Sequence, residues 1–161
     1  MIRIAIVEDD AGYMGTLQDY LKRYEADHDV SLEVRCFTDG DEIVDGYRAG
    51  FDIILMDVEM RFMDGMTAAR EIRKVDPQVV IIFITNMTQY AIQGYAVDAL
   101  DYVLKPVSYF AFSQRLERAI TRLKNRKREY IAVPVKGGVR KLDTAEIYYV
   151  ESRDHDLTFH T

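Results

Sequence analysis

The stretch IILMDVEMRFMDG, residues 53–65, places an aspartate directly after four apolar residues. A short run of isoleucine, leucine and methionine is typical of a strand that is buried on both faces of a sheet. A carboxylate at the end of such a strand, here Asp57, is costly to desolvate unless it is paired or binds a ligand. The stretch therefore predicts a buried strand that delivers Asp57 to a site.

Strand and helix patterns alternate five times along the chain. The predicted strands are 3–7, 30–37, 52–56, 79–85 and 99–104, and the predicted helices are 16–26, 39–50, 65–75, 87–96 and a long pattern after Pro106. Such βα units form a parallel sheet with helices on both faces, which is a doubly wound α/β fold.

Ligands of doubly wound sheets bind beyond the carboxyl ends of the strands. Polar residues at those ends should therefore meet at one edge of this sheet. The candidates are Glu8, Asp9, Asp57, Thr85 and Lys105.

The chemistry of these five side chains suits a phosphorylated carboxylate. Clustered carboxylates raise one another's pKa, and Mg²⁺ relieves that repulsion with oxygen ligands. Asp57 could act as a nucleophile that forms an acyl phosphate, while Lys105 and Thr85 contact phosphoryl oxygens. Taken singly, each residue also has a plainer explanation: Asp9 or Asp10 as a helix cap, Asp57 as a loop cap, Thr85 as the cap of the next helix, and Lys105–Pro106 as a surface turn.

The motifs IVEDD, ILMDVEM followed by MDG, FIT and DYVLKP together resemble the receiver domain of two-component response regulators. The resemblance covers residues 2–122. It implies a flavodoxin-like sheet of five parallel strands in the order 2-1-3-4-5. It also implies that this part of the chain is a phospho-accepting switch and not an enzyme with turnover.

The resemblance assigns roles to individual residues. The phosphoacceptor is Asp57, and the magnesium ligands are Asp9, Asp57 and the backbone carbonyl of Glu59, with Glu8 completing the acidic pair. The switch residues are Thr85 and Tyr102. The phosphoryl-binding cation is Lys105, whose bond to Pro106 is often cis in such proteins. One departure is Arg61, which follows Met60 where the family usually has proline. We expect the chemistry to survive this change and loop mobility or phosphate lifetime to differ.

The last part of the chain has a different pattern. The basic run KNRKR (124–128) belongs to a linker or helix end, 123–129, and short predicted strands with tight turns follow over 130–161. This segment resembles the beginning of a LytTR-type DNA-binding domain. That resemblance implies base contacts by Arg153 and His155, although both could equally be solvated loop residues. The basic residues Lys136, Arg140 and Lys141 would contact phosphates in a complete domain.

Composition supports the same division of the chain. The first 121 residues hold 12 basic and 21 acidic side chains, whereas the remaining 40 hold 9 and 6. An acidic body with a basic tail suggests two roles in one chain. We predict no membrane span, a cytoplasmic location, and a small buried hydrophobic role for the single cysteine, Cys36.

Three functions compete. The first is a response regulator that accepts a phosphoryl group from a sensor histidine kinase, forms a homodimer and controls transcription through a complete C-terminal domain. The second is a stand-alone receiver that signals through protein contacts. The third is a Mg²⁺-dependent phosphatase of the haloacid-dehalogenase type, which needs an aspartate two residues after the nucleophile, whereas this chain has Glu59 there.

Overall fold

A computed structural model describes residues 1–127, 130–144, 147, 149–153 and 156–160. The chain divides into two compact units, Met1–Ala119 and Ile120–Thr161. Within the described residues, no helix combines the length and the apolar character that crossing a membrane requires.

The first unit alternates strands and helices as the sequence predicts. Its elements are β1 (Ile2–Val7), α1 (Ala11–His28), β2 (Leu32–Phe37), α2 (Gly40–Val44), β3 (Ile53–Met56), α3 (Gly65–Val75), β4 (Val80–Thr85), α4 (Ala91–Ala96), β5 (Asp101–Leu104) and the beginning of α5 (Tyr109–Lys127). The five strands are parallel and lie in the order β2-β1-β3-β4-β5. This arrangement confirms the predicted doubly wound fold.

The interior strands explain the apolar runs of the sequence. Every residue of β3 and β4 is buried, because helices cover both faces of the sheet at these positions. The edge strand β2 instead alternates between partly buried and exposed residues. Cys36 lies on this edge strand and is exposed, so the prediction that it is a small buried hydrophobic residue is wrong.

Helix lengths differ from those predicted. The first helix is longer and begins at Ala11, because the Asp10 carboxylate accepts a hydrogen bond from the Tyr13 N–H at 2.8 Å and caps it. The second helix was predicted over 39–50 but ends at Val44. The backbone becomes extended at Asp45, with φ −61° and ψ 112°, which ends the helix, and Gly46 then adopts a left-handed conformation with φ 66°.

The second unit contains two antiparallel hairpins. They are formed by β6 (Tyr130–Val135) with β7 (Gly138–Asp143) and by β8 (Tyr149–Arg153) with β9 (Asp156–His160). The first hairpin turns through Lys136 and Gly137, and the glycine has φ 104°, a value that favours glycine. The predicted strand pattern is therefore found in the described part of this segment, while Glu146, Tyr148 and Thr161 lie outside it.

Candidate functional site

Three of the predicted site residues immediately follow strands that end at the same edge of the sheet. Glu8 follows β1, Asp57 follows β3 and Lys105 follows β5. Backbone hydrogen bonds hold them in line with their neighbours, since the Asp57 N–H donates to the Val7 carbonyl at 3.0 Å and the Lys105 N–H to the Thr85 carbonyl at 2.9 Å. Parallel pairing thus gathers side chains that are far apart in the sequence.

Lys105 bridges two buried carboxylates. Its Nζ lies 2.6 Å from Glu8 Oε2 and 2.9 Å from Asp57 Oδ2. The three side chains are only 8%, 1% and 7% exposed, respectively, so water screens these ion pairs little. The ammonium group also lies 4.4 Å from the centre of the Tyr13 ring, which adds a cation–π contact. The bond between Lys105 and Pro106 is cis, as the resemblance implies.

Burial and neighbouring charges shift the pKa values of Lys105 and Glu8 in opposite directions. Burial lowers the pKa of Lys105, but hydrogen bonds to Glu8 and Asp57 outweigh it, and the net effect is a raised pKa. Burial raises the pKa of Glu8 above its ordinary value, against the opposing effect of Lys105. One cation therefore serves two carboxylates, and the site carries excess negative potential.

A third carboxylate completes an acidic cluster. Glu8, Asp9 and Asp57 each offer an oxygen, and these atoms lie within 4.8 Å of one another. Hard oxygen donors at this spacing fit Mg²⁺, which binds proteins through one or two carboxylates and otherwise keeps its waters. The residues present therefore fit the predicted ion.

The three acids are not equivalent as ligands. Both oxygens of Glu8 already accept hydrogen bonds, Oε2 from Lys105 and Oε1 from the Asp10 N–H at 3.0 Å. Asp9 is exposed, and among the described residues Asp57 Oδ1 accepts one hydrogen bond, from the Glu59 N–H at 3.3 Å. This favours Asp9 and Asp57 as direct ligands, with Glu8 acting through Lys105 or a bound water. The role of the Glu59 carbonyl stays a prediction.

Both predicted switch residues form a hydrogen bond with the backbone of Met87. Thr85 is completely buried, and its Oγ1 accepts a hydrogen bond from the Met87 N–H at 3.2 Å. The Tyr102 hydroxyl donates to the Met87 carbonyl, and the Tyr102 ring packs on Phe83 with 5.9 Å between ring centres. Thr85 does not cap α4, because the cap position is Tyr90 and has no side-chain hydrogen bond.

The loop that follows Asp57 is closed by residues that the sequence analysis did not single out. The Gly65 N–H donates to the Val58 carbonyl at 2.8 Å, and a Cβ on Gly65 would lie 2.1 Å from the Asp57 carbonyl oxygen. Asp39 accepts backbone hydrogen bonds from Phe62 and Met63. Asp39 and Gly65 each belong to an Asp-Gly pair at the beginning of a helix, 39–40 and 64–65. This repeated sequence signal could have pointed to them.

The predicted DNA contacts lie in the second unit. Arg153 is the last residue of β8 and is exposed, whereas His155 lies outside the described residues. Their roles in DNA binding stay predictions.

Comparison with known proteins gives consistent matches. Residues 4–117 match the family profile described as the response regulator receiver domain. The transcriptional regulatory protein ZraR of Salmonella typhimurium is 29% identical over 121 residues, which are 74% of this chain and 26% of ZraR. The sensory transduction protein LytT of Bacillus subtilis is 24% identical over 100% of this chain and 69% of LytT. The chain thus spans about a quarter of the length of ZraR.

Solved structures match the fold. The response regulatory domain of protein mrkE from Klebsiella pneumoniae superimposes with a TM-score of 0.69 at 23% identity, covering 77% of this chain and 99% of that domain. The non-phosphorylated HemR receiver domain from Leptospira biflexa gives a TM-score of 0.65 at 25% identity, covering 84% and 100%.

Proposed function

The chain belongs to the response regulator receiver domain family, and from that membership we propose that it is a switch driven by phosphorylation of Asp57. The observation that carries the proposal is the buried Lys105 ammonium, which joins Asp57 to Glu8 at the rim of the sheet, beside Asp9. This arrangement supplies a nucleophile, a cation for a phosphoryl oxygen and a carboxylate set for Mg²⁺ in one place.

The proposed reaction is transfer of a phosphoryl group to a carboxylate oxygen of Asp57. The oxygen attacks phosphorus, the bond from phosphorus to the donor breaks, and its electron pair stays with the donor, here a histidine of a sensor kinase. Lys105 moves from a carboxylate–ammonium pair to a phosphoryl oxygen, which keeps its charge paired throughout. Asp9 and Asp57 would hold Mg²⁺, which when bound would help to neutralise the charge on the transferring group.

The conformational response follows from the shared contacts of Met87. Phosphorylation adds about −1.5 to −2 charge and new acceptor oxygens at Asp57. Thr85 Oγ1, which accepts a hydrogen bond from the Met87 N–H, can donate its own proton to one of them. Movement of Thr85 toward the phosphoryl group would change its bond to Met87. The Tyr102 hydroxyl donates to the carbonyl of the same residue, so movement of Met87 changes how Tyr102 packs. The two residues thus couple the site to α4 and β5.

The output is proposed to be control of transcription. LytT aligns with the whole chain, and two hairpins follow the receiver in the described residues, as expected for the start of a LytTR-type domain. We propose that DNA binding needs the complete domain. A sensor histidine kinase as phosphoryl donor and action in the cytoplasm belong to the same proposal.

The phosphatase alternative has less support. It requires an aspartate two residues after the nucleophile, and this position holds Glu59, which is exposed on the loop. It also places its nucleophile near the beginning of the chain, unlike Asp57. We propose that self-phosphorylation and self-dephosphorylation are the chain's only chemistry.

A stoichiometry measurement tests the proposed function. Wild-type protein incubated with acetyl phosphate and Mg²⁺ should accumulate no more than one acid-stable, hydroxylamine-sensitive phosphoryl group per chain, which peptide mass spectrometry assigns to Asp57. Release of many equivalents of phosphate per chain without accumulation of labelled Asp57 would support the phosphatase instead. Absence of both labelling and phosphate release, in protein shown to be folded, would contradict both.

We further propose that phosphorylation promotes a homodimer through the face formed by α4, β5 and α5. The face exposes apolar side chains at Ile92, Tyr95, Leu104 and Phe110, and the first two are more than 80% exposed. Apolar groups exposed together mark an interaction surface more often than isolated ones do.

Tyr95→Glu should therefore weaken dimerisation of the acetyl phosphate-treated protein at least ~10-fold, because it buries a charge in an apolar contact. Sedimentation velocity measures the effect, and labelling of Asp57 should be unchanged. The matched control is Val75→Glu, which charges an exposed apolar residue at the end of α3. Equal loss of dimer in both variants would contradict the choice of this face.

A further inference from the structure

Asp39 is a buried carboxylate whose main partners are on a distant loop. It is 4% exposed and precedes α2. Its Oδ1 accepts the Met63 N–H at 2.8 Å and its Oδ2 accepts the Phe62 N–H at 3.0 Å. The helix-capping bond from the Asp41 N–H is longer, at 3.5 Å, so capping alone does not explain why this charge is buried.

These hydrogen bonds are charge-assisted. Burial raises the pKa of Asp39, but the backbone hydrogen bonds from Phe62 and Met63, with smaller ones from α2, outweigh it and hold the pKa below its ordinary value. Asp39 is therefore ionised at neutral pH. Hydrogen bonds from backbone N–H groups to a carboxylate are shorter and stronger than those to neutral acceptors.

The loop between β3 and α3 is fixed at two places. At its end, the Gly65 N–H is bonded to the Val58 carbonyl. In its middle, Asp39 holds Phe62 and Met63, and Gly40 approaches so closely that a Cβ there would lie 2.5 Å from the Met63 carbonyl oxygen. The intervening segment, 59–61, carries the Glu59 carbonyl and ends in Arg61, which does not restrict the backbone as a proline would.

We infer that Asp39 is a positioning residue for the magnesium site: by fixing the backbone of Phe62 and Met63, it orients segment 59–61 so that the Glu59 carbonyl reaches the ion held by Asp9 and Asp57. The inference rests on the proposed function. Asp39 itself belongs to a different strand–helix junction and is not a ligand. Its effect on the ion passes through the loop backbone.

The test compares two substitutions that remove one charge each at the two Asp-Gly junctions. Asp39→Asn keeps the shape of the side chain but loses an acceptor, so one of the two loop bonds is lost. Asp64→Asn is the matched control, because Asp64 caps α3 through Thr67 and makes no bond to residues 59–63 among the described contacts. Mg²⁺ affinity is measured by titration calorimetry of the unphosphorylated 161-residue chain, with Asp57→Ala as the site control.

We expect Asp39→Asn to raise the Mg²⁺ dissociation constant roughly 10-fold, as loss of outer support to a metal ligand typically does, and Asp64→Asn to raise it less than about 2-fold. Amide hydrogen exchange of Glu59 in magnesium-free protein should become faster in Asp39→Asn alone. A general loss of stability would not produce this pattern, and Ile43→Val, a conservative core change in α2, checks that directly.

Equal Mg²⁺ affinity in Asp39→Asn and wild type would overturn the inference. So would an equal loss in Ile43→Val at matched stability. If wild type and Asp57→Ala bind Mg²⁺ with the same affinity, both the proposed magnesium site and the role of Asp39 are wrong. If Asp57→Ala alone loses affinity, the magnesium site stands and only the role of Asp39 is wrong.

Discussion

Asp57→Asn is expected to reduce phosphoryl labelling by acetyl phosphate at least ~1000-fold, because the amide lacks the nucleophilic oxygen and removal of a nucleophile is among the most damaging changes to a site. The variant should still fold. Asp57 is buried at the end of β3, and asparagine has nearly the same volume, so packing around the site is preserved.

The same variant should be as stable as wild type or up to ~1 kcal/mol more stable in magnesium-free buffer, because it removes one of three neighbouring carboxylates. Lys105 keeps its 2.6 Å pair with Glu8, so no buried cation is left without a partner. Mg²⁺ should stabilise wild type and have little effect on the variant, since a ligand stabilises only a state that binds it.

Glu59→Gln is the matched control for Asp57→Asn. It removes the charge of an exposed side chain that lies two residues after Asp57. It keeps the backbone carbonyl of residue 59, which is predicted to be a ligand. Labelling followed by Phos-tag electrophoresis, and unfolding followed by circular dichroism with and without Mg²⁺, measure both effects. Persistent labelling of Asp57→Asn, or loss of labelling in Glu59→Gln, would contradict the assignment of the acceptor.

Much of this site was predictable from the sequence because the signal was local. Short apolar runs marked buried strands, and each polar residue directly after a run had to lie at the carboxyl edge of a parallel sheet. Glu8, Asp57 and Lys105 meet for that reason alone, and strand order 2-1-3-4-5 followed from the resemblance. The charge of each residue then restricted the chemistry.

The support of the loop was not predictable in the same way. The side chain of Asp39 accepts hydrogen bonds from backbone N–H groups 23 and 24 residues later. Nearly every residue has a backbone N–H group, so the sequence does not indicate which ones Asp39 contacts. An aspartate before a predicted helix reads as a cap, which hides its second role. The length of α2 was missed because the backbone turns extended at Asp45 and left-handed at Gly46 without a change in the polarity pattern.

Gly65→Ala is expected to lower the free energy of unfolding by at least ~3 kcal/mol. This loss is at or above the upper end of the usual cost of overpacking, because the new methyl group meets backbone atoms and not a movable side chain. The added Cβ would lie 2.1 Å from the Asp57 carbonyl oxygen and 3.0 Å from Val58 Cα. Relief requires the loop to move away from β3, which breaks the Gly65–Val58 hydrogen bond. Labelling of Asp57 should therefore fall as well, even at temperatures where the variant is folded.

Gly15→Ala provides a control with the opposite sign. Gly15 lies within α1, and a Cβ there would meet nothing within 4 Å. Because alanine loses less conformational freedom than glycine in a helix, this variant should gain ~0.5–1 kcal/mol. Thermal unfolding should separate the two alanine variants by about 10 °C, given ~2–4 °C per kcal/mol for a chain of this size. A Gly65→Ala protein that melts with wild type and accepts phosphate at the wild-type rate would show that the loop is not held against the Asp57 carbonyl.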